Sequence, residues 1–485
     1  MSINEKYEAV IGLEVHAQML TKTKAYSNDI NEYGATPNTN VSVVSLGHPG
    51  TLPVMNKKTI EYAIRLGLAC ECDIAPYQYF ARKNYFYPDL PKGYQVTQDK
   101  TPICTNGHIY IKTEDGVEKK INLTRIHMEE DAGKSIHDVD VFDTLVDLNR
   151  AGTPLLEVVS EPELKSAQEA YSYLTEMRKL VRYLDICDGN MEEGSMRCDA
   201  NVSVMLKGSK VFGAKVEVKN MNSIRNVQRA IEYEISRQIE EVEKGNEIAQ
   251  ETRGFDALKG ITISQRSKEA ANDYRYFPEP DLQPISVSKE QIAAVKNTIP
   301  ALPRELFAKY TTELGLSEYD ANVLTDSKSI ALYFEEVIQT TKNYKGAANI
   351  VMGDIKSFLN NRSVEIEDFP ISAKSIGLLV NLIEDGKVSH TAASQKLFPL
   401  MLDNPSVEPL KLAEMNNLIQ ESDTGSLAAY IQQVIDENLV EIERYKNGEK
   451  QLLGLFMGKL MKVSGGKADP KLANQLLRTT LDNLK

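Results

Sequence analysis

Residues 8–18, EAVIGLEVHAQ, alternate between two kinds of side chain. Ala9, Ile11, Leu13, Val15 and Ala17 are apolar, and between them stand Val10, Gly12, Glu14, His16 and Gln18. A strand sends successive side chains to opposite faces. The stretch therefore predicts a strand with one face in a core and the other presenting a glycine, a carboxylate, an imidazole and an amide. The pattern recurs in residues 196–204, where Met196, Cys198, Ala200, Val202 and Val204 oppose Arg197, Asp199, Asn201 and Ser203. In residues 215–220, Val216 and Val218 oppose Lys215, Glu217 and Lys219. Residues 121–130, INLTRIHMEE, and the run LLEVVSEP ending at Pro162 read as further extended segments. One such strand is an ordinary sheet surface. Several together, with Glu, His, Asp, Asn, Lys and Arg on the face away from the core, describe the floor of a polar cleft.

Helical stripes separate these strands. Residues 56–70 place Ile60, Ala63, Ile64 and Leu68 on one side. A second helix is predicted from 163 to about 184, with Pro162 beside its first turn, and a third from Ser223 to about 244. Residues 21–53 are irregular, punctuated by Gly47, Pro49, Gly50 and Pro53. Residues 82–98, twice interrupted by proline, read as an ordered aromatic-rich loop rather than a strand or helix. From Ser288 strand patterns stop and short helical stripes continue to the end, with a second boundary near 405–408. The expected fold class is α+β: a mainly antiparallel sheet domain over 1–290, an all-α domain over 291–405 and a small α-helical tail over 406–485.

A chain of 485 residues with 42% hydrophobic content accommodates about three domains with proper cores. No apolar run approaches the roughly 20 residues that cross a bilayer, and the N-terminal stretch carries no signal or transit pattern. Cysteines 70, 72, 104, 187 and 198 are odd in number and scattered, as reduced thiols are. The expected setting is cytoplasmic, with no membrane partner. A net charge of −13 argues against indiscriminate nucleic-acid binding. Residues 451–485 reverse the balance, with six Lys or Arg against two Asp.

Glu14, Glu129, Glu130, Glu157 and Glu217 sit on or beside the predicted strands. Clustered carboxylates repel one another unless a cation neutralises them, and Mg²⁺ suits one or two carboxylates while bridging to phosphates. His16 beside Glu14 completes such a set or orients a ligand. Each glutamate taken singly reads as a solvated surface charge, and only as a group on strand faces do they point as much to a metal. Phosphate-loop signatures are incomplete: Ala132-Gly133-Lys134-Ser135 lacks the earlier glycine, with Met128 in its place, and Ser464-Gly465-Gly466-Lys467 lacks the full spacing. No nucleophile motif is present, and structural roles explain His127 and His137 as well as catalytic ones do. The glycines and lysines of 458–467 fit a phosphate backbone or a solvated helix face equally.

Several long motifs nonetheless resemble, in order, the B subunit of the tRNA-dependent amidotransferases. They are GLEVHAQ at 12–18, LGHPGTLPVMN at 46–56, RKNYFYPDLPKGYQVTQ at 82–98, RIHMEEDAGKS at 125–135 and DLNRAGTPLLEVVSEPEL at 147–164. EGSMRCDANVSV at 193–204, EVKNMNSIRNVQRAIEYEI at 217–235, ETRGFD at 251–256 and RSKEAANDYRYFPEPDL at 266–282 continue the match, and GKLMKVSGGKADP at 458–470 resembles a tail of tRNA-associated helical domains. The resemblance implies a cradle-shaped catalytic domain and a tRNA-binding tail. It implies ATP-dependent phosphorylation of the side-chain carboxyl of Glu on tRNA(Gln) or Asp on tRNA(Asn), followed by amidation. It also implies a heterotrimer, in which an amidase (glutaminase) and a small third protein are the partners. Catalytic and Mg²⁺-binding roles fall by resemblance on Glu14, His16, Glu129 and Glu157, with Glu130 and Glu217 as further metal candidates. Arg197, Lys215 and Lys219, on the same strand faces, are the candidate phosphate contacts. Relatives carry zinc-binding cysteines where this chain has Ser27, Asp29, Ser42 and Ser45, so a structural zinc is not expected. A non-catalytic tRNA platform would keep the tail and be indifferent to Glu14 and His16. A stand-alone amide ligase would need nucleotide and ammonia motifs that the chain does not show.

Overall fold

The computed structural model describes residues 6–137, 139–267, 274–420, 424–465 and 468–484. It divides into two compact units, Met1–Leu302 and Pro303–Lys485.

The first unit is built on a sheet whose principal strands are β1 (Tyr7–Gln18), β2 (Ala81–Asn84), β3 (Tyr94–Thr97), β4 (Glu118–Glu130), β5 (Pro154–Ser160), β6 (Met196–Leu206), β7 (Val216–Lys219), β8 (Glu251–Asp256), β9 (Ile261–Ser267) and β10 (Phe277–Pro278). Among the described residues they belong to one 13-stranded sheet and run β9-β8-β7-β6-β1-β5-β4-β3-β2-β10. Neighbours along this path pair antiparallel except β7 with β8, which is parallel. The expected mixture of a mainly antiparallel sheet with helices is thus present.

The apolar alternation of β1 buries Ala9, Ile11, Leu13, Val15 and Ala17 almost completely. Against that face pack α1 (Lys57–Ala69), α2 (Ala167–Tyr183) and α3 (Ile224–Glu243). They bring Ala63, Leu66, Tyr173, Met177, Val227 and Ile231 into one cluster with β1, Val202 of β6 and Val218 of β7. Burying a Leu or Ile side chain fully contributes about 2–3 kcal/mol, so Leu13→Ala would cost roughly 2–5 kcal/mol. The helices start where side chains satisfy their free N–H groups: Asn56, Ser166 and Ser223 accept from Lys58, Glu169 and Asn226.

Two sequence expectations are corrected. Residues 82–98 are not a loop throughout, because their ends form β2 and β3, paired antiparallel from Asn84↔Tyr94 to Ala81↔Thr97. Both prolines, Pro88 and Pro91, fall in the connection, where no ladder N–H is required. Helix α2 begins at Ala167, not at 163, because Ser166 caps it and Leu164 is held in a backbone bridge to Ile11. Gly133 of the phosphate-loop look-alike donates its N–H to Asp89 O at 2.8 Å, and Lys134–Ile136 is a strand rather than the start of a helix.

The second unit is helical, from Pro303–Thr312 to Pro470–Asn483. Its last part has its own apolar cluster, in which Leu427, Val434, Phe456, Leu460, Ala473 and Leu477 are fully buried. Gly466, Lys467 and Lys485 of the expected basic tail lie outside the described residues, as do residues 268–273 of one family motif. No described helix is long and apolar enough to cross a membrane.

Candidate active site

Register decides which polar side chains meet. On β1, His16 lies opposite Glu157 of β5 and Arg197 of β6, and Glu14 lies opposite Asp199 of β6. Glu157 lies opposite His127 of β4, and Asn201 of β6 opposite Glu217 of β7. Directly paired residues in a sheet share a face, with Cβ atoms about 5 Å apart. Five strands thereby pool their polar faces in one cavity of about 320 Å³, lined by Glu14, His16, His127, Glu129, Glu157, Asp199, Glu217 and Lys219. Lys83, Thr97, Gln98, Asp99, Arg125, Tyr274 and Tyr276 complete its wall.

The carboxylates fall into two groups. In the first, His16, Glu129 and Glu157 each offer a ligand atom within 4.8 Å of the others. His16 Nε2 is 3.3 Å from Glu157 Oε2, and His127 Nε2 is 3.5 Å from the same oxygen and 3.7 Å from Glu129 Oε2. Thr97 Oγ1 donates to Glu129 at 3.1 Å. Arg125 Nε donates to His127 Nδ1 at 3.3 Å, which leaves Nε2 of that ring facing the carboxylates. Burial alone would raise the Glu157 carboxyl, but the electrostatic attraction of His127 and the hydrogen bond from His16 hold it well below the usual range. For His16, burial works downward, and Glu157, Glu129 and Asp199 outweigh it, so its pKa is raised. Lys83 follows the same logic, with Glu129 the chief opponent of burial.

In the second group, Glu14, Asp199 and Glu217 converge within the same 4.8 Å limit. Lys219 Nζ sits among them, 2.7 Å from Asp199 Oδ2 and 3.4 Å from Glu217 Oε1. Its pKa is raised, because Asp199 and Glu217 overcome the cost of burial. Thr252 Oγ1 donates to Glu217 at 2.8 Å and Asn201 Nδ2 to Glu14 at 2.9 Å. The Oδ1 atom of Asn201 is buried and has no hydrogen-bond partner among the described residues.

Glu14, His16, Glu129, Glu157, Glu217 and Lys219 of the sequence candidates therefore meet in one cavity. Two candidates stand elsewhere, and Arg197, on the same sheet face as His16, is held outside the cavity wall. Glu130 points to the opposite side of β4, where it accepts from Val96 N at 2.9 Å and pairs with Lys92. Arg197 pairs with Asp131 at 2.8 Å, and Lys215 is exposed just before β7. His127, Asp199, Asn201, Arg125 and Lys83 belong to the site without having been singled out as site residues. Parity of the strand faces could have found Asp199 and Asn201. Lys83 is brought in by the β2–β3 hairpin.

A second cavity, of about 260 Å³, lies by Glu130 and is lined also by Lys24, Ser27, Ser45, Arg82, Lys92 and Glu279. Here Ser27, Asp29, Ser42 and Ser45 form a hydrogen-bonded cluster: Asp29 Oδ2 accepts from Ser42 N at 2.9 Å and Ser45 Oγ at 2.5 Å, and Ser27 Oγ accepts from Asp29 N at 3.3 Å. Lys24 Nζ, fully buried, donates to Asn40 O at 2.6 Å and lies 3.9 Å from Asp29.

The donor set of the first group, one imidazole and two carboxylates with hydroxyl support, fits a hard divalent cation that keeps several waters. The second group already holds an ammonium. Comparison with known proteins agrees with the long motifs. Residues 9–293 match the GatB/GatE catalytic domain family, and residues 332–481 match the GatB domain family. The chain is 50% identical over 479 residues to the B subunit of the aspartyl/glutamyl-tRNA(Asn/Gln) amidotransferase of Alkalilimnicola ehrlichii, covering 99% of this chain and 100% of that protein. It is 50% identical to the protein of that name in Trichlorobacter lovleyi (98% and 99% covered) and 50% identical to that of Gloeothece citriformis (99% and 99%).

Proposed function

Since the chain belongs to the B-subunit family of the tRNA-dependent amidotransferases, we propose that it is the transamidating component of a cytoplasmic, glutamine-hydrolysing aminoacyl-tRNA ligase. It phosphorylates the side-chain carboxylate of Glu on tRNA(Gln), or of Asp on tRNA(Asn), and then amidates it. A partner amidase supplies the ammonia from glutamine, and a small third protein of the heterotrimer joins the two. Residues 1–290 form the cradle-shaped catalytic domain, 291–405 a helical domain and 406–485 the tRNA-binding tail.

A carboxylate is a poor electrophile toward ammonia, and conversion to an acyl phosphate supplies the leaving group. That step needs positioning and charge neutralisation more than a protein nucleophile, which accords with a site rich in carboxylates and without Ser or Cys among the described residues that line it. His16, Glu129 and Glu157 would hold Mg²⁺, with Glu14 and Glu217 beside them. Bound there, Mg²⁺ with ATP supplies charge neutralisation at the transferred phosphoryl group. His127 and Thr97 orient the carboxylates, as second partners of metal ligands do. Lys83, Arg125 and Lys219, whose charges face the same cavity, counter the negative charge of the phosphates and of the substrate carboxylate.

The observation that carries this reading is the convergence of His16, Glu129 and Glu157 from three neighbouring strands. The test is ATP cleavage by the reconstituted complex given charged tRNA and Mg²⁺ but no glutamine or ammonia. ADP release should require the charged tRNA and disappear with His16→Ala. Release that survives the substitution would leave this chain a platform and move the kinase site to one of its partners.

A further inference from the structure

A row of tyrosine rings leads from the surface of the first unit to the carboxylate cavity. Tyr87 meets Tyr85 at 5.9 Å between centroids, Tyr85 meets Tyr274 at 6.2 Å, and Tyr274 meets Tyr276 at 5.9 Å, each pair edge-on at 68–70°. Tyr274 and Tyr276, the latter 41% exposed, line the cavity beside Glu129, Glu157 and His16. At the outer end Tyr87 is 57% exposed and its neighbour Phe86 78%. Pairing across the sheet builds the row: Asn84 donates its N–H to Tyr274 O at 3.0 Å and its side-chain amide to Arg275 O at 2.9 Å. The Tyr85 hydroxyl donates to Gln95 Oε1 at 3.0 Å, which fixes the ring. One cation stands between two of the rings. Lys83 Nζ stands 5.0 Å from the centre of Tyr274 and 6.0 Å from that of Tyr85.

Large aromatics left in solvent next to one another mark a binding surface. Aromatic faces alternating with cations are the platform on which unpaired nucleotides lie, bases on rings and phosphates near ammonium groups. A single purine covers one or two rings. This row is four rings long and runs out to the surface, so it suits a strand rather than one base. The geometry points to the row as the track for the unpaired 3′ end of the tRNA, laid so that the attached amino acid enters among the carboxylates. This rests on the reading of charged tRNA as the substrate and names the residues that receive its end.

Tyr87 is the residue to change, since it is exposed and remote from the ligand groups. Affinity of the reconstituted complex would be measured for uncharged tRNA(Gln), intact and trimmed of its unpaired 3′ nucleotides, without ATP. Tyr87→Ala should weaken binding of the intact RNA about tenfold and of the trimmed RNA less than about twofold, as loss of one stacked base does. Tyr87→Phe, which keeps the ring, should restore the intact value. Equal loss on both RNAs or no loss on either would overturn the track; so would a weakened ATP affinity of Tyr87→Ala in a parallel titration without RNA, which would make the row a nucleotide shelf. Because the measurement contains no phosphoryl transfer, its failure is separable from failure of the kinase reading, which shows instead as ATP cleavage indifferent to charged tRNA.

Discussion

Two acidic clusters share one sheet face, a few residues apart on β1, and they are neutralised in opposite ways. His16, Glu129 and Glu157 have imidazoles for company, with Arg125 at 3.8 Å from Glu157. Glu14, Asp199 and Glu217 have the ammonium of Lys219 in their midst. An imidazole can give up its proton and become a ligand. An ammonium whose pKa has been raised keeps its proton and remains a resident cation. Under the proposed function the same strand alternation would offer one cluster to an exchangeable divalent ion, while beside it Lys219 builds the positive charge in.

Substitutions on each side sharpen the contrast. The largest effect is expected from Glu157→Gln, which removes the carboxylate shared by His16 and His127. Charged-tRNA-dependent ADP release should fall about 10³-fold, with a higher Mg²⁺ requirement. A loss no greater than that of a Lys219 variant would make the two clusters equivalent and break the comparison.

Lysines offer the next test. Burial pushes Lys24 down to about 8, whereas Lys219 moves up. Between about pH 8 and 10.5 the unfolded chain holds a proton at Lys24 that the folded chain has released, so folding stability rises with pH across that window and is flat below it. The gain is on the order of 3 kcal/mol. Urea unfolding of Lys24→Met should lack that rise, and an identical pH slope would refute the assignment.

A smaller effect is expected at Lys219 itself. Lys219→Met leaves Glu14, Asp199 and Glu217 without their cation and should let a second divalent ion bind, visible as an added site in calorimetry with Mn²⁺. Its KM for ATP should rise roughly tenfold. Unchanged metal stoichiometry would show that the ammonium is not what keeps that cluster closed to metal.

Much of this arrangement was legible in the sequence. Alternation over residues 8–18 and 196–204 named both faces of β1 and β6, including Asp199 and Asn201 as members of the polar one. Adjacent carboxylates were the weak point. Glu129 and Glu130 follow each other in one strand and so must face opposite ways. A motif spelled HMEE hides that; Glu129 keeps the parity of Arg125 and His127 while Glu130 keeps that of the buried Ile126 and Met128, and Thr97 meets Glu129. Lys83, Tyr274 and Tyr276 come from hairpin and edge pairings far apart in sequence, and no local periodicity encodes them. The misread hairpin at 82–98 has the same origin: its prolines mark the turn, and the pairing that makes strands of its ends is not local.

The segment from Lys24 to Ser45 is fastened by hydroxyls, one carboxylate and a buried ammonium, with no thiol in the knot. Such a fastening gives a chelator nothing to remove and an oxidant nothing to attack. The loop bordering the second cavity should keep its shape through metal starvation and oxidative stress, conditions that would loosen a version tied by cysteines and zinc.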